Sequence, residues 1–373
     1  MARYDVVICG LGVMGSAALR ELARRGRRVL GIERFTPGHD RGSSHGRTRI
    51  IRLSYFEHPS YVPLVRRAYA LWREIERAAG RQLLHVTGIA EIGAPGGTLV
   101  QGTLASARLH GLAHEVLDAQ ATMRRFPAFR LPPDFVSVVQ PDGGFLDAEP
   151  SVHALLSLAQ AAGAEVRTQE IVRAIEPRGD GVAIVTDRGT VEARVAVLSA
   201  GAWAETLLPG LPLRATRQAM AWFAPAEPAP FADGRFPVFL IESRHGIHYG
   251  FPPDANGWIK VAKHPHSDET VAPDRYERAV SAGDEALIRA VLADHIPAAN
   301  GVRRDAATCL YTTTPDGDFL IDRLPAAPQV IVASPCSGHG FKFAPAIGEI
   351  VADLATDGTT RHDIARFAFK RFG

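Results

Sequence analysis

Three glycines and one acid carry the first chemistry legible in the chain. Gly10-Leu11-Gly12-Val13-Met14-Gly15 follows an apolar run, Val6 to Cys9, and Glu33 lies eighteen residues past Gly15. Gly10 suits a tight turn, Gly12 leaves room for a pyrophosphate beside the backbone, and Gly15 lets helix and strand pack closely. A helix opening at this point turns free N–H groups and a positive dipole end toward phosphates. Glu33 falls where a carboxylate accepts ribose hydroxyls, which disfavours a 2′-phosphate, although Arg34 beside it leaves that open. A glycine-rich turn alone would be weak. Strand, helix, second strand (Val29 to Ile32) and terminal acid in register make a dinucleotide fingerprint.

Further polar residues concentrate at three places. In GSSHGRTRIIR, His45, Arg49 and Arg52 recur at spacings of four and three, with Thr48 four before Arg52. On a helix those side chains occupy neighbouring faces. Ile50 and Ile51 call for partial burial, and buried guanidiniums need anionic partners such as a phosphate or carboxylate. The alternative is a solvated basic loop. Lys260 sits in GWIKVAKHPH between Ile259 and Val261. It is either an edge-strand lysine turned to solvent or a buried cation able to stabilise negative charge as electrons pass to oxygen. Gly338-His339-Gly340 precedes Phe341-Lys342-Phe343 at a helix start, where backbone N–H groups can face a carbonyl. Lys342 is either a carboxylate partner or a surface lysine.

The elements that must position these residues follow from the apolar patterning. A helix is expected through Arg24 and another with apolar residues at Leu64, Ala68, Leu71 and Ile75. Strand-like pieces at 84–93 precede a helix near 98–109, a strand at 114–117, and a helix from about Glu149 to Gly163. Residues 164–198 read as short strands joined by glycine turns and end in a buried strand before Gly201. A β-rich middle spans about 213–310, and a strand, a glycine-rich turn and a long helix close the chain. No internal repeat or low-complexity stretch interrupts this order. The fold class is α/β (α+β): a Rossmann-like nucleotide domain with an inserted antiparallel-sheet domain. The chain would build the first from 1–84, 143–212 and 311–373, and the second from 85–142 and 213–310.

Composition narrows the partners. At 373 residues the chain exceeds what one core usually serves, so two domains are expected. Apolar residues make up 46%, and 42 basic against 40 acidic residues leave a net charge of +2, which speaks against nucleic-acid or membrane-surface partners. Arg24, Arg25, Arg27 and Arg28 are better read as a helix C-terminus matched to its dipole than as a binding patch. Cys9, Cys309 and Cys336 form neither a disulfide framework nor a metal-binding spacing, so a reducing, cytoplasmic setting is expected. The apolar N-terminus is no signal peptide on this reading, because Asp5 stands where positive charge is wanted.

Taken together, these motifs resemble the monomeric sarcosine oxidase and N-methyltryptophan oxidase family of flavin amine oxidases. GLGVMG, GSSHGRTRIIR, YVPL, GAW, YGFP, IKVAKH, CLYTTTPDGDFLIDRLP and SGHGFKF fall in family order almost from end to end. The resemblance implies FAD linked covalently through Cys309, with Cys336 as the competing thiol and Arg49 as the cation that favours a thiolate. It implies an oxygen-activating Lys260, a substrate carboxylate held by Arg52 and Lys342, and His45, Arg49, Tyr249, His264 and Tyr311 around the flavin ring. Further cofactor contacts fall on Ser43, Thr48, Val172, Gly201, Trp203, Gly338, His339, Gly340 and Phe341, in addition to Gly10, Gly12, Gly15, Glu33 and Arg34. The implied reaction oxidises a secondary, N-methylated α-amino acid to an imine, which water splits to formaldehyde and the amino acid while O2 becomes hydrogen peroxide. Partners would be a small amino acid and O2, and the protein a monomer. Rival readings are a cyclic imino acid oxidase, a flavin dehydrogenase with another acceptor, and an idle flavoprotein subunit. IKVAKH and the ending KRFG look nearer to the N-methyltryptophan branch. Ser44 in place of a histidine, Arg47 in place of an acid, and Pro335-Cys336 before SGHG depart from the family pattern and leave the substrate side chain open.

Overall fold

The computed structural model describes residues 4–232 and 234–373. Its first unit is β1 (Tyr4–Cys9), α1 (Val13–Arg24) and β2 (Val29–Ile32), as the glycine spacing requires. Gly10 has a φ of +97°, a conformation that side chains disfavour. A Cβ on Gly15 would lie 1.9 Å from the Gly10 carbonyl oxygen, so only glycine lets α1 start this close to the strand.

The chain continues through β3 (Thr48–Ile51), α2 (Val62–Ala79), β4 (Leu84–Val86), β5 (Ile89–Gly93), α3 (Thr98–His110), β6 (Glu115–Asp118) and α4 (Ala119–Arg125). Next come β7 (Val136–Gln140), β8 (Gly144–Asp147), α5 (Ala148–Ala161), β9 (Glu165–Arg167), β10 (Val172–Arg178), β11 (Gly181–Thr186), β12 (Gly189–Leu198) and α6 (Ala204–Leu207). The last third holds β13 (Arg214–Phe223), β14 (Val238–Ser243), β15 (Gly246–Gly250), β16 (Ile259–His264), α7 (Ala282–His295), β17 (Arg303–Thr313), β18 (Leu320–Leu324), β19 (Ala327–Ser334) and α8 (Ala344–Asp357).

Two large sheets organise these elements. In the first, β19, β12, β1, β2 and β9 run parallel, and β11 and β10 extend it antiparallel from β12. Helices α1, α2, α5 and α8 bury their apolar faces in one cluster with strand residues Val6, Ile8 and Ile331, and Trp72, Tyr55 and Tyr61 are its largest fully buried side chains. The second sheet has the order β17-β13-β16-β15-β14-β5-β7-β6 and is antiparallel except for the β14–β5 pair. Beneath it, Phe129, Phe223, Phe236 and Phe239 pack with Ile288, Val291 and Leu292 of α7. A small sheet, β3-β8-β4, lies apart from both.

Two expectations are corrected. The segment carrying Arg49 and Arg52 is not helical: Thr48–Ile51 is a strand whose Arg49 pairs with Leu146 of β8. The β-rich middle also contains α7, started by a capping box in which Ser281 and Asp284 satisfy each other's backbone N–H groups.

Candidate active site

A cavity of about 380 Å³ runs from the glycine turn to the second sheet, with Gly10, Gly12 and Glu33 at one end and Tyr249, Cys309, Tyr311 and Lys342 at the other. Strand order explains its position. It opens at the C-terminal ends of β1 and β2, where parallel sheets take up nucleotides, and β17 carries Cys309 and Tyr311 up to the same space.

At the glycine end, Glu33 is 5% exposed and accepts hydrogen bonds from Leu11 N (2.7 Å) and Phe35 N (2.9 Å). Each carboxylate oxygen has a further lone pair for a ribose hydroxyl. Arg34 is committed to Asp274 at 2.8 and 3.0 Å, and Trp203 Nε1 donates to the same carboxylate. Its charge is therefore matched within the protein, which argues against a role in reading a 2′-phosphate. Val172, Gly201, Trp203 and Ser43 all line the cavity, and the Ser43 hydroxyl donates to the Leu310 carbonyl.

Midway, Arg49 donates to Thr48 O (2.8 Å) and Ser43 O (2.7 Å). Among the described residues no carboxylate forms an ion pair with it, so it presents an unneutralised cation to the cavity. Behind this wall, Lys260 is 2% exposed and donates to Gly46 O (2.7 Å) and Thr48 O (2.8 Å). The solvent-facing reading of Lys260 is thereby excluded. Burial and the neighbouring Arg49 push its pKa well below that of an ordinary lysine. His45 is buried, its Nε2 has no hydrogen-bond partner, and burial and Arg49 hold its pKa down at about 4, so it is neutral at pH 7. Gly15, His45, Thr48 and Lys260 do not line the cavity; the other expected residues do.

Arg47 holds the two carbonyls that receive Lys260. It adopts a φ of +68°, its N–H donates to Glu149, and its guanidinium bridges Asp254 (3.0 Å) and Asp305 over the Trp222 ring.

At the far end, the anionic partners that Arg52 needs come from the protein itself, as well as from any substrate. Its Nη2 donates to both oxygens of Glu57 (2.9 and 2.7 Å), its Nη1 to Ser54 O (2.7 Å), and Nε lies 3.6 Å from Glu91. Tyr55 and Phe56 rings stack on it at 4.3 and 4.8 Å. Burial alone would raise the Glu57 pKa; Arg52, His339 and Lys342 outweigh it and bring it to about 2. Lys342 is 5% exposed, so it is no surface lysine; it donates to His339 O (2.8 Å) and Tyr55 Oη (3.3 Å). Burial and Arg52 lower its pKa to about 7. Tyr311 Oη and His264 Nδ1 are 3.1 Å apart, and Tyr249 completes that wall. Burial raises both tyrosines and lowers the histidine, so all three are neutral hydrogen-bonding groups near pH 7.

All three thiols border the cavity, Cys9 at the pyrophosphate end and Cys309 and Cys336 at the other. The expectation that Arg49 lowers the Cys309 pKa is half met. Arg49 and Lys260 do act downward, but burial prevails and the thiol titrates above its ordinary value. Burial raises Cys336 to about 11. Sequence reasoning missed Glu57, Glu91, Phe56 and Leu240. Glu57 is signalled only by its place five residues after Arg52, and Glu91 by an acid inside the apolar run IAEI.

The residues present fit FAD. A continuous cavity joins the glycine cradle and Glu33 to Arg49, which forms no ion pair among the described residues. A family model described as FAD dependent oxidoreductase matches residues 5–354. The monomeric sarcosine oxidase of Streptomyces avermitilis is 42% identical over 377 residues, covering 99% of this chain and 97% of that protein. The N-methyl-L-tryptophan oxidase of Salmonella typhi is 37% identical over 372 residues, covering 99% of each. The monomeric sarcosine oxidase of a Bacillus strain is also 37% identical, so whole-chain identity does not choose between the two branches. Among solved structures, the open form of NikD, described as an unusual amino acid oxidase essential for nikkomycin biosynthesis, superposes with a TM-score of 0.86 at 30% identity, covering 99% and 98% of the two chains. The glycine cradle, the cavity and these relatives establish that the chain belongs to the FAD dependent oxidoreductases, alongside the sarcosine and N-methyltryptophan oxidases.

Proposed function

We propose that the protein oxidises N-methylated α-amino acids with O2, giving formaldehyde, the parent amino acid and hydrogen peroxide. The observation that carries this reading is the buried pair Arg52 and Lys342 at the cavity end bordered by Tyr249, His264, Tyr311 and Cys309. An α-carboxylate needs charge-assisted partners when it leaves water, and these two supply them. Because Glu57 already occupies Nη2 of Arg52, an incoming carboxylate takes the remaining Nη1 donor and the Lys342 ammonium.

FAD, held in the cavity and in this proposal linked to Cys309, supplies the two-electron chemistry. The chain's own groups do the rest. Burial and the nearby cations favour the neutral amine, the form with a lone pair to donate. Tyr311 and His264, themselves neutral, hydrogen-bond around the amine. Lys260, aimed by Gly46 and Thr48, stabilises negative charge that develops as oxygen is reduced. Ile50, Phe56 and Leu240 give the substrate end an apolar wall, which supports a small or apolar side chain.

The split into FAD-binding and substrate domains at the intervals given above is part of this proposal. It is supported by the strands of the first sheet coming from residues 4–32, 165–198 and 320–334, and those of the second from 89–140 and 214–313. Monomeric state and cytoplasmic location belong to it also; no described helix is long and apolar enough to cross a membrane. Anaerobic addition of sarcosine tests the reading. Bleaching of the yellow absorbance is expected, and no bleaching by any N-methyl amino acid would overturn it.

A further inference from the structure

Behind Arg52 lies a second acid. Glu91 is fully buried on β5, in register with Leu240 of β14, whose side chain lines the cavity. Its Oε2 accepts from Gln140 Nε2, whereas Oε1 has no hydrogen-bond partner and lies 3.6 Å from Arg52 Nε. The charged groups that face it are Arg52 and Glu57, from the segment after β3, and Lys342, from the turn before α8. The other elements packed on β5 contribute neutral groups there, Gln140 from β7 and Thr103 from α3, while Glu242 of β14 is committed to Leu99 N.

With all four groups ionised, Arg52 and Lys342 balance Glu57 and Glu91. An α-carboxylate entering this enclosure brings a third negative charge against two positive ones. A buried net charge is costly, and the least costly remedy is to neutralise the acid with the weakest hold on its charge. Glu57 keeps two hydrogen bonds from Arg52. Glu91 has one amide donor, and its other oxygen has no hydrogen bond and only the 3.6 Å contact with Arg52 Nε.

Resting on the substrate site proposed above, we infer that Glu91 is a proton-uptake site: binding of a substrate carboxylate draws one proton from solvent onto Glu91, and release of the product returns it. Burial above all, moderated by Arg52 and reinforced by Glu57, already raises the Glu91 pKa to about 7. A bound carboxylate raises it further, and by linkage binding weakens as pH climbs past the free-state value.

The test uses the holoenzyme and methoxyacetate, which replaces the amine of sarcosine with an ether oxygen and cannot be oxidised at nitrogen. Calorimetric titration at pH 8 in two buffers of different ionisation enthalpy reads the protons exchanged, while the flavin absorbance reports binding. Wild-type protein should take up between about one and two protons per ligand, because Lys342 can gain one beside Glu91, and its affinity should fall by at least about tenfold per pH unit above pH 8. Glu91→Gln should take up roughly one proton fewer than wild type, the remainder belonging to Lys342, and should bind at least about fivefold more tightly than wild type at pH 9. Glu91→Leu, which has no polar group to bury, provides the same comparison if the glutamine variant does not fold. Undiminished uptake in both variants would assign the proton to Lys342 and overturn the inference. So would binding by wild type without proton exchange. Absence of any absorbance change with methoxyacetate would overturn the proposed substrate site along with it.

Discussion

Replacing Arg52 with methionine removes a guanidinium while keeping an apolar stem against Tyr55 and Phe56. The structure sets the magnitude. Burial would raise the Glu57 pKa, and Arg52 foremost, with His339 and Lys342, brings it from 4.5 down to about 2. At about 1.4 kcal/mol per unit this corresponds to about 3 kcal/mol of stability. Since the folded pKa is lowered, that contribution is fully present above pH 4.5 and is lost as pH falls through about 2. Leaving Glu57 and Glu91 buried without their cation puts the loss in the range of about 3–5 kcal/mol, as for other broken buried pairs. The gap between Arg52→Met and wild type should therefore be large at pH 8 and smaller at pH 5, where an unpaired Glu57 and Glu91 can take up protons. Denaturant unfolding at both pH values measures it, and a cycle with Glu57→Gln isolates the pair. A gap below about 1 kcal/mol at pH 8, or a coupling near zero in the cycle, would refute the reasoning. The same variant should raise KM for sarcosine by a factor corresponding to about 2–5 kcal/mol.

Three more expectations concern the cofactor end. Lys260→Met should leave reduction by substrate largely intact and slow reoxidation by oxygen about 10²–10³-fold, read by stopped-flow on the two half-reactions; equal slowing would mark a structural lysine. Acid-denatured wild type should retain its yellow colour on a filter and Cys309→Ser should release it, whereas release by Cys336→Ser alone would move the link to that thiol. Gly340→Ala would place a Cβ 1.6 Å from the Pro335 carbonyl oxygen, so it should lower flavin content in the purified protein, measured against absorbance at 280 nm; full occupancy would show that the turn can shift.

How much of this was readable in the sequence depends on how local each determinant is. The glycine fingerprint was fully legible, because its geometry is fixed by three glycines within six consecutive residues and a terminal acid. Helices α3, α5 and α8 also follow from local periodicity. Residues 48–51 misled because spacings of four and three suit a helix, while pairing with β8, almost a hundred residues away, makes them extended. Helix α7 hid inside a stretch of strands, although Ser281 and Asp284 at its start and Ile288, Val291, Leu292 and His295 along one face were sufficient signals. The burial of Lys260 could not be read, since it depends on β16 lying between β13 and β15 rather than at an edge. Arg52 was found, but its two acids were not. Glu91 reaches it from a separate strand, and only the folded sheet brings them within 3.6 Å.

The most direct test of the central claim is the product balance with sarcosine in air-saturated buffer. Formaldehyde and hydrogen peroxide should appear one for one, in step with glycine and with the oxygen consumed. Formaldehyde without peroxide would assign the electrons to another acceptor, and neither product from sarcosine or any other N-methyl amino acid would contradict the proposed function.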